Sequence, residues 1–188
     1  MTEQTEKQRL LNAWATEKER IALDFFRLRS VMPWWRKEKG EIFWCDLGEN
    51  IGRETNKKRP VVVLSSSDRN KRMPNVTIAP ITSTIKYKKD GDVTSGLKYP
   101  FHFLMKSDVY QFLDNDSVIM LEKLRTVSKN RLEADSIGRI SETDLKIINK
   151  KIDVRDADIM TMLSNGELTT DEFWSEFEKR TGVRVPTD

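Results

Sequence analysis

The chain has 188 residues, of which 37% are hydrophobic and 34% are charged, and its net charge at pH 7 is +3. This length supports one globular core with further elements at its ends, and no run of about 18 apolar residues is present to span a bilayer. Cys45 is the only cysteine, which excludes an intramolecular disulfide and a thiolate zinc cage. The first residues lack the basic and then apolar order of a signal peptide, so we expect a cytoplasmic protein without a membrane partner.

The charge is unevenly distributed along the chain. Residues 36–131 hold 19 Lys and Arg against 12 Asp and Glu, whereas residues 132–188 hold 8 against 13. A basic middle segment favours an anionic polymer as ligand, because Lys and Arg replace the counterions of phosphates. A Lys-rich surface in contact only with solvent explains the charge equally well, so composition alone leaves both readings open.

The chain begins with the pattern of an amphipathic helix between Glu6 and Met32. Its apolar residues recur at spacings of three, four or seven: Leu10, Trp14, Ile21, Phe25, Leu28 and Met32. Pro33 ends the predicted helix. Trp34 and Trp35 follow it, and an aromatic pair in this position favours packing onto the next domain over stacking on nucleobases.

The middle of the chain predicts short strands without intervening helices, which favours an antiparallel barrel or sandwich. The predicted strands are Glu41 to Leu47, Pro60 to Ser65, Asn75 to Thr82, Tyr99 to Met105, Ser117 to Leu121 and Lys123 to Val127. Residues 86–92 lack periodicity and predict a mobile loop.

Three helical segments follow the predicted strands, the second a short pattern of Ile159, Met162 and Leu163 before a break at Gly166. Ser141 with Asp144 resembles a capping box, and Leu145, Ile148 and Ile152 provide one apolar face of a helix. Further along, Thr169 to Glu172 predicts the start of another helix. The sequence therefore predicts a mainly β fold with helices, of the α+β class, extended at both ends.

Most of the usual signatures of enzymes are missing from the sequence. We find no phosphate-binding loop, dinucleotide fingerprint or nucleophile elbow, and no His, Cys or carboxylate cluster with the spacing of metal ligands. His102 is the only histidine, and strand alternation makes it an ordinary strand residue. We therefore predict no metal site and no cofactor.

Chemistry on RNA needs little from a protein, because the 2′-hydroxyl of RNA can attack the neighbouring phosphorus once the backbone is held in line. The protein must stabilise the charge that gathers on the phosphoryl oxygens, and Arg suits this task through its planar, always charged fork. Arg59 precedes a predicted strand, and Thr82 ends a second one. Each residue alone is equally well explained as a surface or strand residue.

Several blocks of sequence, in order, resemble the MazF/PemK (Kid-like) family of toxins. They are Gly40-Glu41-Ile42-Phe43-Trp44, Asp46-Leu47, Ile51 to Glu54, Arg59-Pro60 with the valine run that follows, Ala79 to Ser83, Asp116 to Thr126, and Arg131-Leu132. The resemblance covers about residues 39–152. It divides the chain into an N-terminal helical extension (1–35), a MazF/PemK-like barrel domain (36–153) and a C-terminal helical extension (154–188).

This resemblance implies an SH3-like antiparallel barrel that works as a homodimer. It implies a toxin endoribonuclease that cuts single-stranded RNA at a short sequence motif without metal, leaving a 2′,3′-cyclic phosphate and a 5′-hydroxyl. The matching catalytic pair is Arg59 and Thr82. The expected RNA-binding residues are Glu54, Asn56, Lys57, Lys58, Arg69, Arg72, Lys86, Lys123 and Arg125. An antitoxin with an acidic tail would silence the enzyme, and DNA binding would occur through the complex with that antitoxin.

The sequence departs from the family pattern at positions where RNA would pass. Arg53 replaces a small residue, Lys123 replaces a frequent Gln, and the loop from Ile85 to Leu97 is long and basic. The resemblance therefore predicts no base preference.

Two alternatives stay open at this level. A non-catalytic barrel could act on a protein such as a topoisomerase, because a fold does not fix function. Alternatively, the terminal helices could make this a regulated variant in which Trp14, Phe25, Trp174 and Phe177 pack onto the barrel or replace part of an antitoxin.

Overall fold

The structure is a computed structural model that describes residues 2–28, 36–90 and 93–155, together with Thr169, Glu172, Ser175 and Lys179. In chain order the helices and strands are α1 (Glu3–Leu28), β1 (Glu41–Asp46), β2 (Lys58–Val63), α2 (Ser67–Arg72), β3 (Asn75–Thr82), β4 (Tyr87–Asp90), β5 (Val93–Leu97), β6 (His102–Met105), β7 (Ser117–Met120), β8 (Arg125–Ser128), β9 (Gly138–Arg139) and α3 (Glu142–Arg155). The chain forms two compact units: Met1–Ile81 with Lys123–Arg139, and Thr82–Glu122 with Ile140–Asp188.

The first unit is built on an antiparallel sheet. β2 pairs with β1 through Val61 and Phe43, and with β3 through Val61 and Pro80. β8 lies on the other edge of β3, where Val127 pairs with Val76. β9 and an isolated bridge from Leu132 lie on the outer edge of β1. The strand order in this unit is therefore β8-β3-β2-β1-β9.

This sheet must curl, because its two edges are joined by a very short connection. β8 ends at Ser128 on one edge, and Leu132 forms its bridge to Cys45 on the other edge. Four Cα steps reach at most about 14 Å. The corresponding edges of a flat sheet would be about 19 Å apart, since neighbouring strands lie about 4.8 Å from each other. The curl is that of a barrel-type sheet.

Alternating side chains of the curled sheet form the core of the first unit. The buried cluster comprises Phe43, Cys45, Leu47, Val61, Val63, Val76, Ile78, Val127 and Leu132. Within β1 and β2 these residues recur at every second position, because they point to the same face of the sheet. Ile42 and Val62 on the opposite face are also fully buried. Lys58 at the start of β2 and much of the β1–β2 loop are exposed.

Helix α2 is fixed to the first unit by buried polar contacts. The Asn70 side chain donates to the carbonyl oxygens of Lys37 (2.7 Å) and Ser65 (3.1 Å), and it accepts from Ser65 Oγ (2.6 Å). Lys129 donates to the Asn70 carbonyl oxygen. This helix was not predicted from the sequence, although Ser66 caps it by accepting from the Arg69 amide.

The second unit contains two antiparallel hairpins and helix α3. β4 pairs with β5, and β6 pairs with β7 through Phe103 and Ile119. Ser141 caps α3 by accepting from the Asp144 amide (3.1 Å), which confirms the predicted capping residue. Leu145 and Ile148 are buried on the helix face that the sequence predicted to be apolar.

The predicted fold class is confirmed, because antiparallel strands and helices form a mainly β structure of the α+β class. The prediction of a mobile loop over residues 86–92 was wrong, since β4 and β5 form a hairpin there. β4 contains Lys88 and Lys89, and neither strand shows apolar alternation. The stronger signal in the sequence was the Asp90-Gly91 pair before Val93 and Thr94.

At the two ends of the chain the structure describes only part of what the sequence predicted. α1 confirms the N-terminal helix, whereas Trp34 and Trp35 lie outside the described residues. Thr169 and Glu172 form the reciprocal bonds of a capping box, and most residues around them, including Trp174 and Phe177, also lie outside the described part. The division at residues 35 and 153 remains a prediction.

Candidate functional site

Arg59 lies near the start of β2, where its backbone is paired with that of Cys45 in β1. Its side chain is half-buried, and its Nε donates a hydrogen bond to the carbonyl oxygen of Asn56 (2.9 Å). Across the described ranges, no carboxylate forms an ion pair with Arg59. Within the same ranges its two terminal nitrogen atoms make no hydrogen bond, so they can bind an anionic ligand in the bidentate manner that suits phosphate.

Arg59 follows the β1–β2 loop, which comprises residues 47–57. Two backbone hydrogen bonds close the neck of this loop, from Leu47 N to Lys57 O (3.1 Å) and from Lys57 N to Gly48 O (2.7 Å). Lys57 has φ 68°, a left-handed conformation that is unfavourable for a residue with a side chain. Such strain persists only where surrounding contacts impose it, and here the two bonds at the neck do so.

Polar side chains fill the inside of the β1–β2 loop. Asn50 donates to the carbonyl oxygens of Leu47 (3.1 Å) and Thr55 (2.8 Å). Asn56 accepts from the Asn50 amide (3.3 Å) and donates to the Glu49 carboxylate (3.1 Å). The side chain of Asn56, which the sequence assigned to RNA binding, is thus engaged within the loop.

The cations beside Arg59 are exposed. Lys57 and Lys58 both face solvent, and Lys58 forms an ion pair with Glu133. The hydrogen bond between Lys58 and Glu133 raises the pKa of Lys58 above its ordinary value. Surface ion pairs of this kind contribute little to stability, so the ion pair between Lys58 and Glu133 can open to admit a phosphate. Glu54 is exposed near the tip of the loop.

The remaining cations predicted for the first unit lie on α2 and around β8. Arg69 and Arg72 are exposed on α2, and Arg72 Nε donates to the Asp68 carbonyl oxygen (3.3 Å). Lys123 and Arg125 are half-buried, and the backbone of Arg125 pairs with Ile78 of β3. The predicted RNA-binding residues of this unit thus come from three separate stretches of the chain.

Thr82 and Lys86 belong to the second unit. Thr82 ends β3 with a half-buried side chain, and its Oγ1 accepts a hydrogen bond from the Thr84 amide (3.2 Å). This contact uses a lone pair of the oxygen, so the hydroxyl proton remains available for donation. Lys86 is exposed, and its carbonyl oxygen accepts from Lys98 N (2.8 Å).

His102 is buried in β6 and takes no part in the predicted set. Its Nε2 lies 3.2 Å from Glu122 Oε1, and its ring is tilted against that of Tyr99. Among the described residues, no group of three or more His, Cys, Asp or Glu is arranged to hold a metal ion. No helix of the described part is long and apolar enough to cross a membrane.

Sequence reasoning missed the polar residues that organise the β1–β2 loop, Glu49 and Asn50. Both follow Gly48, whose φ of 89° turns the chain out of β1. A glycine after a strand, followed by two polar residues, is a signal of a structured turn that could have identified them. Neither residue would be found by searching for cations or for common catalytic motifs.

The fold and this surface define a small antiparallel β protein with exposed lysines beside an arginine that forms no ion pair within the described ranges. Residues 38–154 match the family described as PemK-like, MazF-like toxin of type II toxin-antitoxin system. The chain belongs to this family, which confirms the resemblance seen in the sequence. The matched range includes Arg59, Thr82 and all the predicted RNA-binding residues.

Two curated proteins show the same similarity. The chain is 34% identical over 116 residues to Endoribonuclease MazF of Staphylococcus saprophyticus, which covers 62% of this chain and 88% of that protein. It is 32% identical over 116 residues to Endoribonuclease MazF of Staphylococcus epidermidis, with the same coverage of 62% and 88%. The crystal structure of MazF from Deinococcus radiodurans has 20% identity, covers 62% of this chain and 92% of its own, and gives a TM-score of 0.46.

Proposed function

We propose that this protein is an endoribonuclease that cleaves single-stranded RNA at a short sequence motif in the cytoplasm. Two relatives more than 30% identical to the chain carry the name Endoribonuclease MazF, and the matched range includes the site residues. The observation that carries the proposal is the environment of Arg59. Its half-buried guanidinium lies beside exposed lysines, and within the described ranges its only hydrogen bond is to Asn56.

In the proposed reaction, the RNA supplies the nucleophile. The 2′-oxygen bonds to phosphorus as its proton leaves, and the bond from phosphorus to the 5′-oxygen breaks as that oxygen gains a proton. The products are a 2′,3′-cyclic phosphate and a 5′-hydroxyl. Arg59 donates to the non-bridging oxygens, which gather negative charge in the transition state. No group on the protein has to form a covalent bond to the substrate.

Thr82 is the proposed second member of the catalytic pair. Its hydroxyl proton can be donated to a phosphoryl oxygen, because the Thr84 amide occupies only a lone pair of Oγ1. β2 and β3 are antiparallel neighbours in which Val61 pairs with Pro80. The joint action of Thr82 with Arg59 is proposed on the family to which the chain belongs.

The exposed cations provide the proposed RNA-binding surface. Phosphate contacts would position the strand, and polar groups would read unstacked bases. The proposed contacts are Glu54, Asn56, Lys57, Lys58, Arg69, Arg72, Lys86, Lys123 and Arg125. We also propose a homodimer as the working unit, and an antitoxin partner in keeping with a family of type II toxin-antitoxin toxins.

The proposal is tested by incubating the purified full-length protein with a long RNA in the presence of EDTA and mapping the new 5′-hydroxyl ends. We expect recurrent cuts at one short motif. Arg59→Ala should reduce the rate by about 100- to 1,000-fold, the loss typical of removing one preorganised donor to a developing charge. Arg59→Lys should restore little, because an ammonium lacks the bidentate fork.

Arg139→Ala is the matched control, since it removes an exposed guanidinium of the first unit that is paired with Glu38. It should cut RNA at the wild-type rate. Equal activity of the wild type and Arg59→Ala would refute the assigned role of Arg59. Failure of the wild type to cut any RNA would favour the non-catalytic alternative, in which the protein acts on a protein partner.

A further inference from the structure

Helix α1 is attached to the β1–β2 loop by an ion pair between Lys7 and Glu49. Lys7 Nζ also donates to the carbonyl oxygen of Asn50 (2.7 Å). The Glu49 side chain is only 8% exposed, so its carboxylate depends on this cation and on its hydrogen bonds for compensation. A helix outside the family-matched range therefore neutralises a largely buried charge inside the loop.

Trp14 forms a second attachment between α1 and the first unit. A Cβ atom built on Gly48 would lie 2.6 Å from the Trp14 ring, so the indole packs directly against the glycine backbone. The guanidinium carbon of Arg131 lies 5.3 Å from the centre of the same ring, and Arg131 Nη1 donates to the Asp46 carbonyl oxygen (2.9 Å). The end of the loop that follows β1 is thereby tied to α1.

A continuous series of contacts leads from α1 to Arg59. Glu49 Oε1 accepts from Lys7 Nζ and also from Asn56 Nδ2 (3.1 Å). The carbonyl oxygen of the same Asn56 accepts from Arg59 Nε (2.9 Å). Glu49 therefore fixes the side-chain amide of Asn56, and the backbone carbonyl of Asn56 orients the Arg59 guanidinium.

We propose that α1 is an internal brace for the β1–β2 loop, and that Lys7 and Glu49 are positioning residues for Arg59. This inference rests on the proposed function, because it assigns α1 a role in orienting the proposed catalytic arginine. The contacts of α1 with the loop are to its neck and to Glu49 and Asn50, whereas the terminal nitrogens of Arg59 stay free within the described part. This placement supports a brace over a lid.

The test measures steady-state cleavage of a short RNA and hydrogen exchange of the loop amides, using the full-length protein. In Lys7→Met and Glu49→Gln we expect kcat to fall about tenfold with little change in KM, because the exposed lysines that bind phosphate are untouched. Amides of residues 47–57 should exchange faster. Lys7→Arg should retain activity, because it keeps the charge.

Two further variants separate positioning from general loss of structure. Lys18→Met removes an exposed cation of α1 and should change neither kcat nor the exchange of the loop. Lys7→Met in an Arg59→Ala background should cause no further loss, because Lys7 acts through that guanidinium. Non-additivity of this kind identifies residues that act as a unit.

The possible results distinguish this inference from the proposed function. An unchanged kcat in Lys7→Met and Glu49→Gln would overturn the positioning role, and a higher kcat would show that α1 is an inhibitory lid. If the wild type cuts no RNA, the proposed function fails. The exchange measurement then decides whether α1 braces the loop, and unchanged exchange in Lys7→Met would overturn the brace as well.

Discussion

Lys151 is a buried lysine in α3 whose Nζ donates to the carbonyl oxygen of Pro100 (2.9 Å). Burial lowers the pKa of Lys151 to about 7, whereas an unfolded lysine titrates near 10.4. Between these values the unfolded chain binds more protons than the folded one, so the free energy of unfolding rises with pH. The rise due to this residue is at most about 1.4 kcal/mol per pH unit.

We expect Lys151→Met to flatten this rise, because the thioether carries no proton to lose. The measurement is urea unfolding at intervals between about pH 7 and about pH 10, the range in which the two states differ in protonation. Lys146→Met, on the exposed side of the same helix, should keep the wild-type slope. Parallel curves for the wild type and Lys151→Met would contradict the expected pH dependence.

At the scale of elements, the packing of α1 depends on a position without a side chain. Gly48 has φ 89° and Gly52 has φ 60°, so alanine is conformationally strained at both positions. Only at Gly48 would the new Cβ collide with Trp14, since nothing lies within 4 Å of a Cβ at Gly52. The two glycines therefore separate backbone strain from steric conflict.

We expect Gly48→Ala to lower the free energy of unfolding by more than Gly52→Ala does, because only the Cβ at residue 48 displaces the Trp14 ring from its contact with the loop. Strain alone costs about 1–2 kcal/mol. Hydrogen exchange should show faster opening of α1 in Gly48→Ala and not in Gly52→Ala. Identical exchange of α1 in the two variants would mean that the contact with Trp14 contributes nothing to docking.

Local pattern predicted some of these elements and missed others for physical reasons. β3 was predicted at Asn75 to Thr82, the bounds that the structure gives, and β-branched residues dominate this stretch. The β4–β5 hairpin was missed since neither strand shows apolar alternation and β4 contains two lysines. The attachment of Lys7 to Glu49 joins residues 42 positions apart, and no local periodicity encodes such a contact.

At the scale of the whole molecule, the basic surface should make RNA binding strongly dependent on salt. Each phosphate contact with single-stranded RNA contributes about 0.7 to the slope of log K against log salt. In the Arg59→Ala background, which the proposed mechanism makes too slow to degrade the RNA, we expect Lys57→Gln with Lys58→Gln to reduce the slope by about 1.4. The slope is obtained from RNA binding measured by fluorescence anisotropy over a range of salt concentrations.

The control for this experiment is Lys106→Gln with Lys146→Gln, which removes the same charge from exposed positions of the second unit. An equal loss of slope in both double variants would assign the effect to net charge and not to contacts made by the loop.

Family resemblance predicted the fold and the choice of Arg59. It did not predict the attachment of α1, because that helix lies outside residues 38–154.

The single cysteine provides a native reporter of how this barrel-type sheet opens. Cys45 is buried in β1 between the pairing partners Arg59 and Leu132, and burial raises the pKa of its thiol to about 12. A thiol in this state reacts with alkylating reagents only when β1 separates from a neighbour. The labelling rate of the unmodified protein therefore reports the frequency of these excursions, and an antitoxin or RNA that locks the sheet would slow it.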